Sequence, residues 1–336
     1  MLKKFTLIAL FISSVSLVMA QDAAAPSPLS ISGSVDTYYK YDFSKTDANI
    51  PTSFATDHNS VSLGMLDLAL KKTTGKSSFV GEVSFGPRGQ SQSIVDAAAG
   101  GSSFHIQNLY TTYAFTNKFS MTAGFMGTFI GYEVISPVAN YNYSTSYLFT
   151  AGPFQNAGIK ANLAVSSKFG LMVGLFNDGW NAYKATPSLG VSNFGAQVSL
   201  TPVEGWTAYL NMITGSTAGT EFDLTTAYQI TSKFKMGLNL ADWDAATTGG
   251  FSGGALYANY GGIGVRAESF KSKAGSTILN IAGGESVFAL TFSGNIKSGG
   301  LTFIPELRFD NGSANMFEGS TTKSASQFSL AAVYAF

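Results

Sequence analysis

The sequence predicts an all-β fold, a transmembrane antiparallel β-barrel of about 16 strands. Three observations predict it. Apolar and polar residues alternate with a period of two in many successive segments. Short connections between these segments alternate with long ones. Charged residues make up only 12% of the chain, whereas aromatic residues make up 13%, and the chain contains 37 glycines. This combination suits a closed barrel in a membrane better than a soluble sheet.

The N-terminal 20 residues have the features of a secretory signal peptide. Lys3 and Lys4 form a basic start, Phe5–Val18 is apolar, and Val18-Met19-Ala20 offers small residues at a cleavage site. An uncleaved anchor is the alternative, but the apolar run is too short to span a bilayer comfortably. We therefore expect residues 1–20 to be removed, 21–29 to form a flexible lead-in, and 30–336 to form the barrel.

The composition excludes some classes of partner and cross-link. The chain has no cysteine, so export brings no disulfide framework. Removing Lys3 and Lys4 from the 20 basic residues leaves 18 against 20 acidic residues. Such a balance does not indicate a nucleic-acid partner.

The first predicted strand shows the alternation most clearly. Between residues 31 and 43, Ile31, Val35 and Tyr39 occupy one face, and Asp36 and Lys40 occupy the other. Segments with the same period recur along the chain, although the second, fourth and fourteenth alternate poorly. The predicted strands are 30–43, 60–71, 77–86, 104–115, 119–131, 157–167, 168–177, 191–201, 205–213, 221–231, 233–243, 252–260, 262–270, 286–295, 300–309 and 327–336.

The connections predict which end of the barrel faces which side of the membrane. Tight connections such as Thr116–Lys118 and Thr231–Lys233 are expected at the periplasmic end. The long connections are expected outside the cell, at 44–59, 86–103, 132–156, 177–190, 271–285 and 310–326.

The last predicted strand has a lipid-facing side. Phe328, Leu330, Tyr334 and Phe336 fall on one face, opposite Ser329. An apolar face of this size is rarely left uncovered in water, so a soluble sheet is the weaker alternative. The terminal aromatic residue resembles the signal by which barrel assembly machinery recognises its clients. Outer-membrane lipid and that machinery are therefore the expected partners.

One segment resembles a known family. The run "ANYNYSTSYLFTAGPFQNAGIKANL", residues 139–163, looks like the characteristic segment of the OmpL-like β-barrel porin family of outer membranes, especially in Bacteroidetes-type bacteria. Weaker similarities are "SGSVDTYYKYDF", "FNDGWN" and "PELRFD". The resemblance implies a porin-like protein in the outer membrane of a Gram-negative bacterium. The matching positions are Asn140, Asn142, Ser144, Ser146, Leu148, Phe149, Pro153, Phe154 and Gly158.

Sixteen strands would enclose a water-filled lumen, through which small hydrophilic solutes could diffuse. Both signs of charge are expected on its wall, which argues against a strong ion filter. For Arg266/Glu268 and Glu306/Arg308, mutual pairing that braces the wall is the open alternative. The predicted lumen-facing residues are Asp36, Lys40, Glu82, Lys160, Lys235, Arg266, Glu268, Glu306 and Arg308.

The long connection 132–156 is the predicted constriction. Neutral hydrogen-bonding groups and aromatic rings at this point would suit sugars or small peptides. A surface loop packed on the rim is the alternative. The candidate residues are Glu133, Asn140, Tyr141, Asn142, Tyr143, Ser144 and Tyr147.

Signals for other functions are weak. His58 and His105 are the only histidines, and His105 with Ser103 is a poor candidate for a phospholipase pair. Asp242 and Asp244, or Asn177 and Asp178, could collect a calcium ion at the rim. The sequence indicates no enzyme and no cofactor. A barrel whose long loops bind an external ligand or surface is the competing function, and homo-oligomerisation stays open.

Overall fold

The computed structural model describes residues 27–88, 104–180 and 183–336. They form one antiparallel sheet of 17 strands, in which the short β15 continues β14, so that the barrel has 16 staves. The strands are β1 (Ser30–Asp42), β2 (Ser60–Thr74), β3 (Ser77–Phe85), β4 (Phe104–Ala114), β5 (Phe119–Gly127), β6 (Gln155–Ala164), β7 (Phe169–Asn177), β8 (Val191–Leu200), β9 (Trp206–Gly215), β10 (Gly219–Gln229), β11 (Phe234–Asp244), β12 (Gly250–Tyr260), β13 (Ile263–Ser272), β14 (Ser286–Gly294), β15 (Ile296–Ser298), β16 (Leu301–Gly312) and β17 (Ser324–Ala335).

The first and last strands close the sheet. β1 pairs with β2 on one side and with β17 on the other, with Tyr39 opposite Leu330. Among the described strands, closure leaves no unpaired sheet edge, which is the requirement for strands in a hydrocarbon environment. The predicted transmembrane antiparallel barrel is confirmed. The predicted signal peptide lies outside the described residues, and of the lead-in only 27–29 are described.

The two faces of the wall differ in polarity, as the alternation predicts. On β10, Phe222 faces outward and is 58% exposed, whereas its neighbour Asp223 faces inward and is 4% exposed. The aromatic residues Tyr113, Trp206 and Tyr334 also lie exposed near strand ends. An apolar belt bounded by aromatic residues is the surface that lipid requires.

The short connections lie at one end of the barrel and the long ones at the other, with two exceptions. The connections 216–218 and 245–249 lie at the end that carries the long loops, yet they span only three and five residues. Here the expected strict alternation of loop length is wrong. Gly219 and Gly249 adopt positive φ values of 72° and 87°, which permits the tight turns.

The third long loop begins earlier than predicted. β5 ends at Gly127 rather than at 131, and β6 begins at Gln155 rather than at 157. The loop therefore spans 128–154 and is called L3 below. The amide of Thr128 donates to the carbonyl of Phe154 at 3.0 Å, which closes L3 at its base.

Bulges explain why two strands alternate poorly in the sequence. Val35 of β1 pairs with Leu66 of β2, and Thr37 of β1 pairs with Leu63 of β2. Between these two pairs β2 therefore has one residue more than β1. The outward face of β2 consequently changes from odd to even positions. β4 has a similar irregularity opposite Glu82. A bulge inserts one residue and so inverts the side-chain order beyond it.

In the part of the chain that the structure describes, helical structure is confined to a 3₁₀ turn (Pro137–Ala139) and the helix α1 (Tyr147–Ala151), both within L3. The Ser146 side chain caps α1 by accepting a hydrogen bond from the amide of Phe149 at 3.0 Å. None of the helices in the described part of the chain could span a lipid bilayer.

Candidate functional site: the barrel lumen

L3 folds into the barrel and crosses it. After leaving β5, it reaches β10, where the amide of Gly131 donates to Asp223 Oδ1 at 3.2 Å. It then contacts β12, where the Tyr132 and Tyr257 rings stack with centroids 4.3 Å apart. The loop continues along β13 and β16 before returning to β6. L3 therefore lies inside the lumen, which is the position that a constricting loop must have.

Two wall carboxylates hold the inner part of L3. Glu306 of β16 accepts the amides of Tyr143 and Ser144 at 2.7 and 3.1 Å. Glu268 of β13 accepts the amides of Tyr147 and Leu148 at 2.9 and 2.8 Å. Each carboxylate thus satisfies two consecutive backbone donors that a buried loop would otherwise leave unpaired.

Arg266 of β13 holds the same segment by its carbonyl groups. Its Nη1 donates to Glu133 Oε1 and to the Ser144 carbonyl, both at 2.7 Å. Its Nη2 lies 3.3 Å from the Thr145 carbonyl. Glu133 also accepts the Ser146 amide at 2.7 Å. Because Glu133 and Ser144–Ser146 all belong to L3, this arginine folds the loop as well as anchoring it.

Arg308 and Asp310 of β16 form a second buried anchor. The arginine Nε and Nη2 donate to the two carboxylate oxygens at 2.8 and 2.9 Å, in the bidentate arrangement. Arg308 Nη1 also donates to the Thr145 carbonyl at 2.8 Å. The Tyr147 hydroxyl donates to Asp310 at 2.7 Å. Burial and Asp310 raise the pKa of Tyr147, so its hydroxyl remains a donor.

Asp36 of β1 anchors the loop on the remaining side. The Tyr143 hydroxyl donates to Asp36 Oδ2 at 2.6 Å, and Arg88 Nε lies 3.4 Å from the same oxygen. The Arg88 guanidinium also stacks 4.5 Å from the Tyr143 ring centroid. Burial raises the pKa of Tyr143 although Arg88 opposes the shift. The phenol therefore keeps the proton that it donates.

The alternative that Arg266 pairs with Glu268, and Arg308 with Glu306, is wrong. Arg266 pairs with Glu133 and Arg308 with Asp310. The two glutamates instead accept backbone amides of L3. For Arg266, L3 brings the closer carboxylate, that of Glu133. Arg308 has an acid two residues away on either side and pairs with Asp310, while Glu306 accepts the amides of Tyr143 and Ser144.

The nine predicted lumen-facing charges fall into two groups. Six lie beneath loops and are at most 2% exposed: Asp36, Lys40, Arg266, Glu268, Glu306 and Arg308. The other three border an internal cavity of about 750 Å³: Glu82, Lys160 and Lys235. The cavity is bounded by the inner wall of β1–β12 and by L3.

The predicted constriction residues divide in the same way. Four of them border the cavity: Glu133, Asn140, Tyr141 and Asn142. The other three are buried between L3 and the wall: Tyr143, Ser144 and Tyr147. The polar residues of L3 thus serve both to attach the loop and to face the remaining space.

Charge is distributed unevenly along the cavity. Lys118, Lys160 and Lys235 border it toward the end that carries the short turns. Glu221 and Asp223 of β10 border it where L3 crosses. The sequence analysis does not single out these two acids, although they alternate with the apolar residues Phe222 and Leu224 on the same strand. The alternation of apolar and polar residues on β10 is therefore the signal that could have identified Glu221 and Asp223.

The outer half of the lumen contains an apolar cluster. It combines wall residues such as Phe251 and Phe270, whose rings stack at 5.3 Å, with residues of three outer loops. Ile50 comes from the loop 43–59, Ile281 from 273–285, and Phe317 from 313–323, and each is at most 4% exposed. This packing explains the apolar inner residues that obscured the alternation of β14.

The residues that the sequence suggests for catalysis or calcium binding are the two histidines and the acids near the rim. His58 Nδ1 accepts the Asp42 amide at 3.0 Å. His105 is buried on β4, and Ser103 lies outside the described residues. Asp242 and Asp244 share the Lys273 ammonium at 2.7 and 2.6 Å, so each of these carboxylates has a cationic partner. Within residues 27–88, 104–180 and 183–336, no group of three candidate metal ligands occurs.

The barrel is similar to solved porin structures. A mutant porin of Rh. blastica matches with a TM-score of 0.57 and 14% identity, covering 92% of this chain and 100% of that one. The anion-selective porin from Comamonas acidovorans matches with 0.58 and 14%, covering 92% and 99%. OmpT of Vibrio cholerae, in its trimer form, matches with 0.56 and 12%, covering 92% and 99%. At these identities the likeness establishes the fold.

The sequence family is established independently of these structures. No curated protein matches the chain. A family model described as "Putative beta-barrel porin-2, OmpL-like" matches residues 28–336, which include every strand of the barrel. The chain therefore belongs to this OmpL-like family of β-barrel porins and resides in the outer membrane of a Gram-negative bacterium.

Proposed function

We propose that the barrel lets small hydrophilic solutes diffuse across the outer membrane and that L3 sets the narrowest part of the path. The observation that carries this proposal is the position of L3, which lies across the lumen and is attached to β1, β10, β13 and β16. A loop attached at so many points would keep a fixed bore. Diffusion through it needs no energy source and no reacting group, so we propose a channel without enzymatic activity.

The chemistry around the cavity supports polar solutes of small size. Carboxylates, ammonium groups, amides and tyrosine rings all border it, so a solute could exchange its hydration for hydrogen bonds and ring contacts. The Comamonas porin is described as anion-selective. Here Glu82, Glu221 and Asp223 face the same space as the lysines, so we do not extend that selectivity to this chain.

The direct test is electrical. Purified full-length protein inserted in a planar lipid bilayer should give discrete open-channel steps in potassium chloride solution. Liposomes that contain the protein should take up small sugars faster than larger ones. Absence of both steps and uptake, for a barrel shown to be folded, would reject the diffusion function.

Ligand binding by the outer loops is the second candidate. It is favoured by one observation: Ile50, Ile281 and Phe317 from three outer loops fill part of the lumen with apolar side chains. A barrel closed in this way would present its loops to an external ligand or surface. This candidate predicts no open-channel steps, so the bilayer measurement separates the two functions.

The outer surface suggests the partners. Exposed apolar residues such as Leu210, Phe222 and Leu330 would contact membrane lipid. We propose that assembly machinery reads β17 together with Phe336. Self-association would use part of the same belt.

A further inference from the structure

Glu221 is a buried acid with an unusual lack of partners. It is 1% exposed, and within the described part of the chain its Oε2 receives no hydrogen bond. The other buried glutamates of the inner wall differ in this respect, since Glu268 and Glu306 each accept two amides of L3. A buried carboxylate without donors or a counter-charge is strongly disfavoured.

The surroundings of Glu221 are largely apolar. Across the sheet it lies opposite Ile213 on β9 and Trp243 on β11. Ile213 is fully buried, and the Trp243 ring lies 5.5 Å from that of Trp180. On the L3 side, a Cβ added to Gly152 would lie 3.9 Å from Glu221 Oε1. No basic side chain is among these neighbours.

A second carboxylate lies on the same face of β10. Asp223 accepts hydrogen bonds from Asn211 at 2.6 Å, Asn239 at 2.5 Å and the Gly131 amide at 3.2 Å. All three donors are neutral. Within the described residues neither Glu221 nor Asp223 takes part in an ion pair, whereas the inner-wall and L3 residues Asp36, Glu133, Arg266, Arg308 and Asp310 do. Residues two apart on a strand lie about 7 Å from each other.

Both carboxylates border the cavity, as do the tyrosine rings of L3 and β12. The site therefore has two carboxyl groups without a basic partner among the described residues, and tyrosine rings border the cavity on which both groups lie. A metal ion would require more oxygen ligands than this pair offers. A protonated amine requires fewer, because an ammonium group can donate to one carboxylate and rest against a ring.

We propose that Glu221 and Asp223 form a binding site for solutes that carry protonated primary amines. The proposal deepens the diffusion function and rests on it for its physiological meaning. The carboxylates supply the charge that the solute needs when it loses water. Asn211, Asn239 and Gly131 fix the orientation of Asp223, so the site is formed before the solute arrives.

The test measures binding without transport. Full-length protein in detergent micelles is titrated with 1,4-diaminobutane by calorimetry, and 1,4-butanediol serves as the uncharged probe of the same length. We expect diaminobutane to bind and butanediol to give no saturable heat. Glu221→Gln keeps the side-chain size and removes the charge, so it should weaken diamine binding at least about tenfold. Glu204→Gln, in an exposed periplasmic turn, is the matched control and should bind as the wild type does.

A second measurement guards against misfolding of the variant. Diaminobutane should raise the unfolding temperature of the wild-type barrel and of Glu204→Gln, but not that of Glu221→Gln. Equal binding by Glu221→Gln and wild type would overturn the proposal. So would saturable binding of Ca²⁺ without binding of diaminobutane.

Failure of this inference can be distinguished from failure of the diffusion function. Open-channel steps together with unchanged diamine binding in Glu221→Gln would overturn the amine site and leave the channel. Diamine binding that Glu221→Gln abolishes, in a protein without open-channel steps, would support the site and reject the channel.

Discussion

Glu306 on β16 accepts the backbone amide of Tyr143 at 2.7 Å, although 163 residues separate the two in the sequence. This bond joins the barrel wall to the segment that crosses the lumen. Because the same carboxylate also binds the Ser144 amide at 3.1 Å, the contact fixes both the position and the direction of L3.

Glu306→Gln should loosen L3. Glutamine offers one acceptor oxygen where the carboxylate offers two, so one of the two amides loses its partner. We expect the free energy of unfolding in guanidinium to fall by about 1–3 kcal/mol and current noise in the open channel to increase. Glu318→Gln, at an exposed site, is the control. A variant as stable and as quiet as the wild type would show that the carboxylate does not hold the loop.

Removing Arg308 should be more damaging than removing both members of its pair. Arg308→Met leaves the Asp310 carboxylate buried without its guanidinium, at an expected loss of about 3–5 kcal/mol. Adding Asp310→Asn removes that uncompensated charge and should restore part of the stability. The double-mutant cycle is measured by guanidinium unfolding. Strictly additive losses would contradict a direct coupling between the two side chains.

Tyr143→Phe should weaken the attachment of L3 to β1. The variant keeps the ring against Arg88 but deletes the hydroxyl that Asp36 accepts, which should cost about 1–3 kcal/mol in guanidinium unfolding. Tyr141→Phe is the matched control because that ring is 36% exposed and borders the cavity. Equal losses for both variants would indicate a general effect of tyrosine removal.

A methyl group at Gly237 should displace Tyr132. A Cβ built there would lie only 2.5 Å from Tyr132 Cζ, whereas a Cβ at Gly81 would meet no atom within 4 Å. Gly237→Ala should therefore destabilise the barrel by about 1–3 kcal/mol, measured by the midpoint of heat-induced unfolding on electrophoresis. Gly81→Ala should leave that midpoint nearly unchanged. A larger loss for Gly81→Ala than for Gly237→Ala would mean that the Tyr132 ring does not pack against β11.

The barrel itself could be predicted from the sequence because its causes are local. Each strand must place apolar residues toward lipid, so Asp36 and Lys40 were assigned to the inner face from their neighbours on β1. The strands that alternated poorly have physical explanations. β2 contains a bulge, and the inner residues of β14, such as Val287 and Ala289, are covered by apolar loop residues.

The partners of the inner charges could not be predicted in this way. Alternation tells which face a side chain occupies, but Arg266 binds Glu133 across 133 residues of chain. Only the path of L3 decides that pairing. Backbone amides are equally invisible in a sequence, so the role of Glu268 as an acceptor for Tyr147 and Leu148 had no signal.

The single-channel conductance of a loop-shortened barrel shows whether L3 sets the bore. In this variant Asn140–Tyr147 is replaced by two glycines, and folding is verified by heat-modifiable electrophoretic mobility. If L3 sets the bore, the conductance should rise above that of the wild type and larger sugars should enter liposomes. Conductance equal to that of the wild type, in a barrel shown to be folded, would show that L3 does not set the bore.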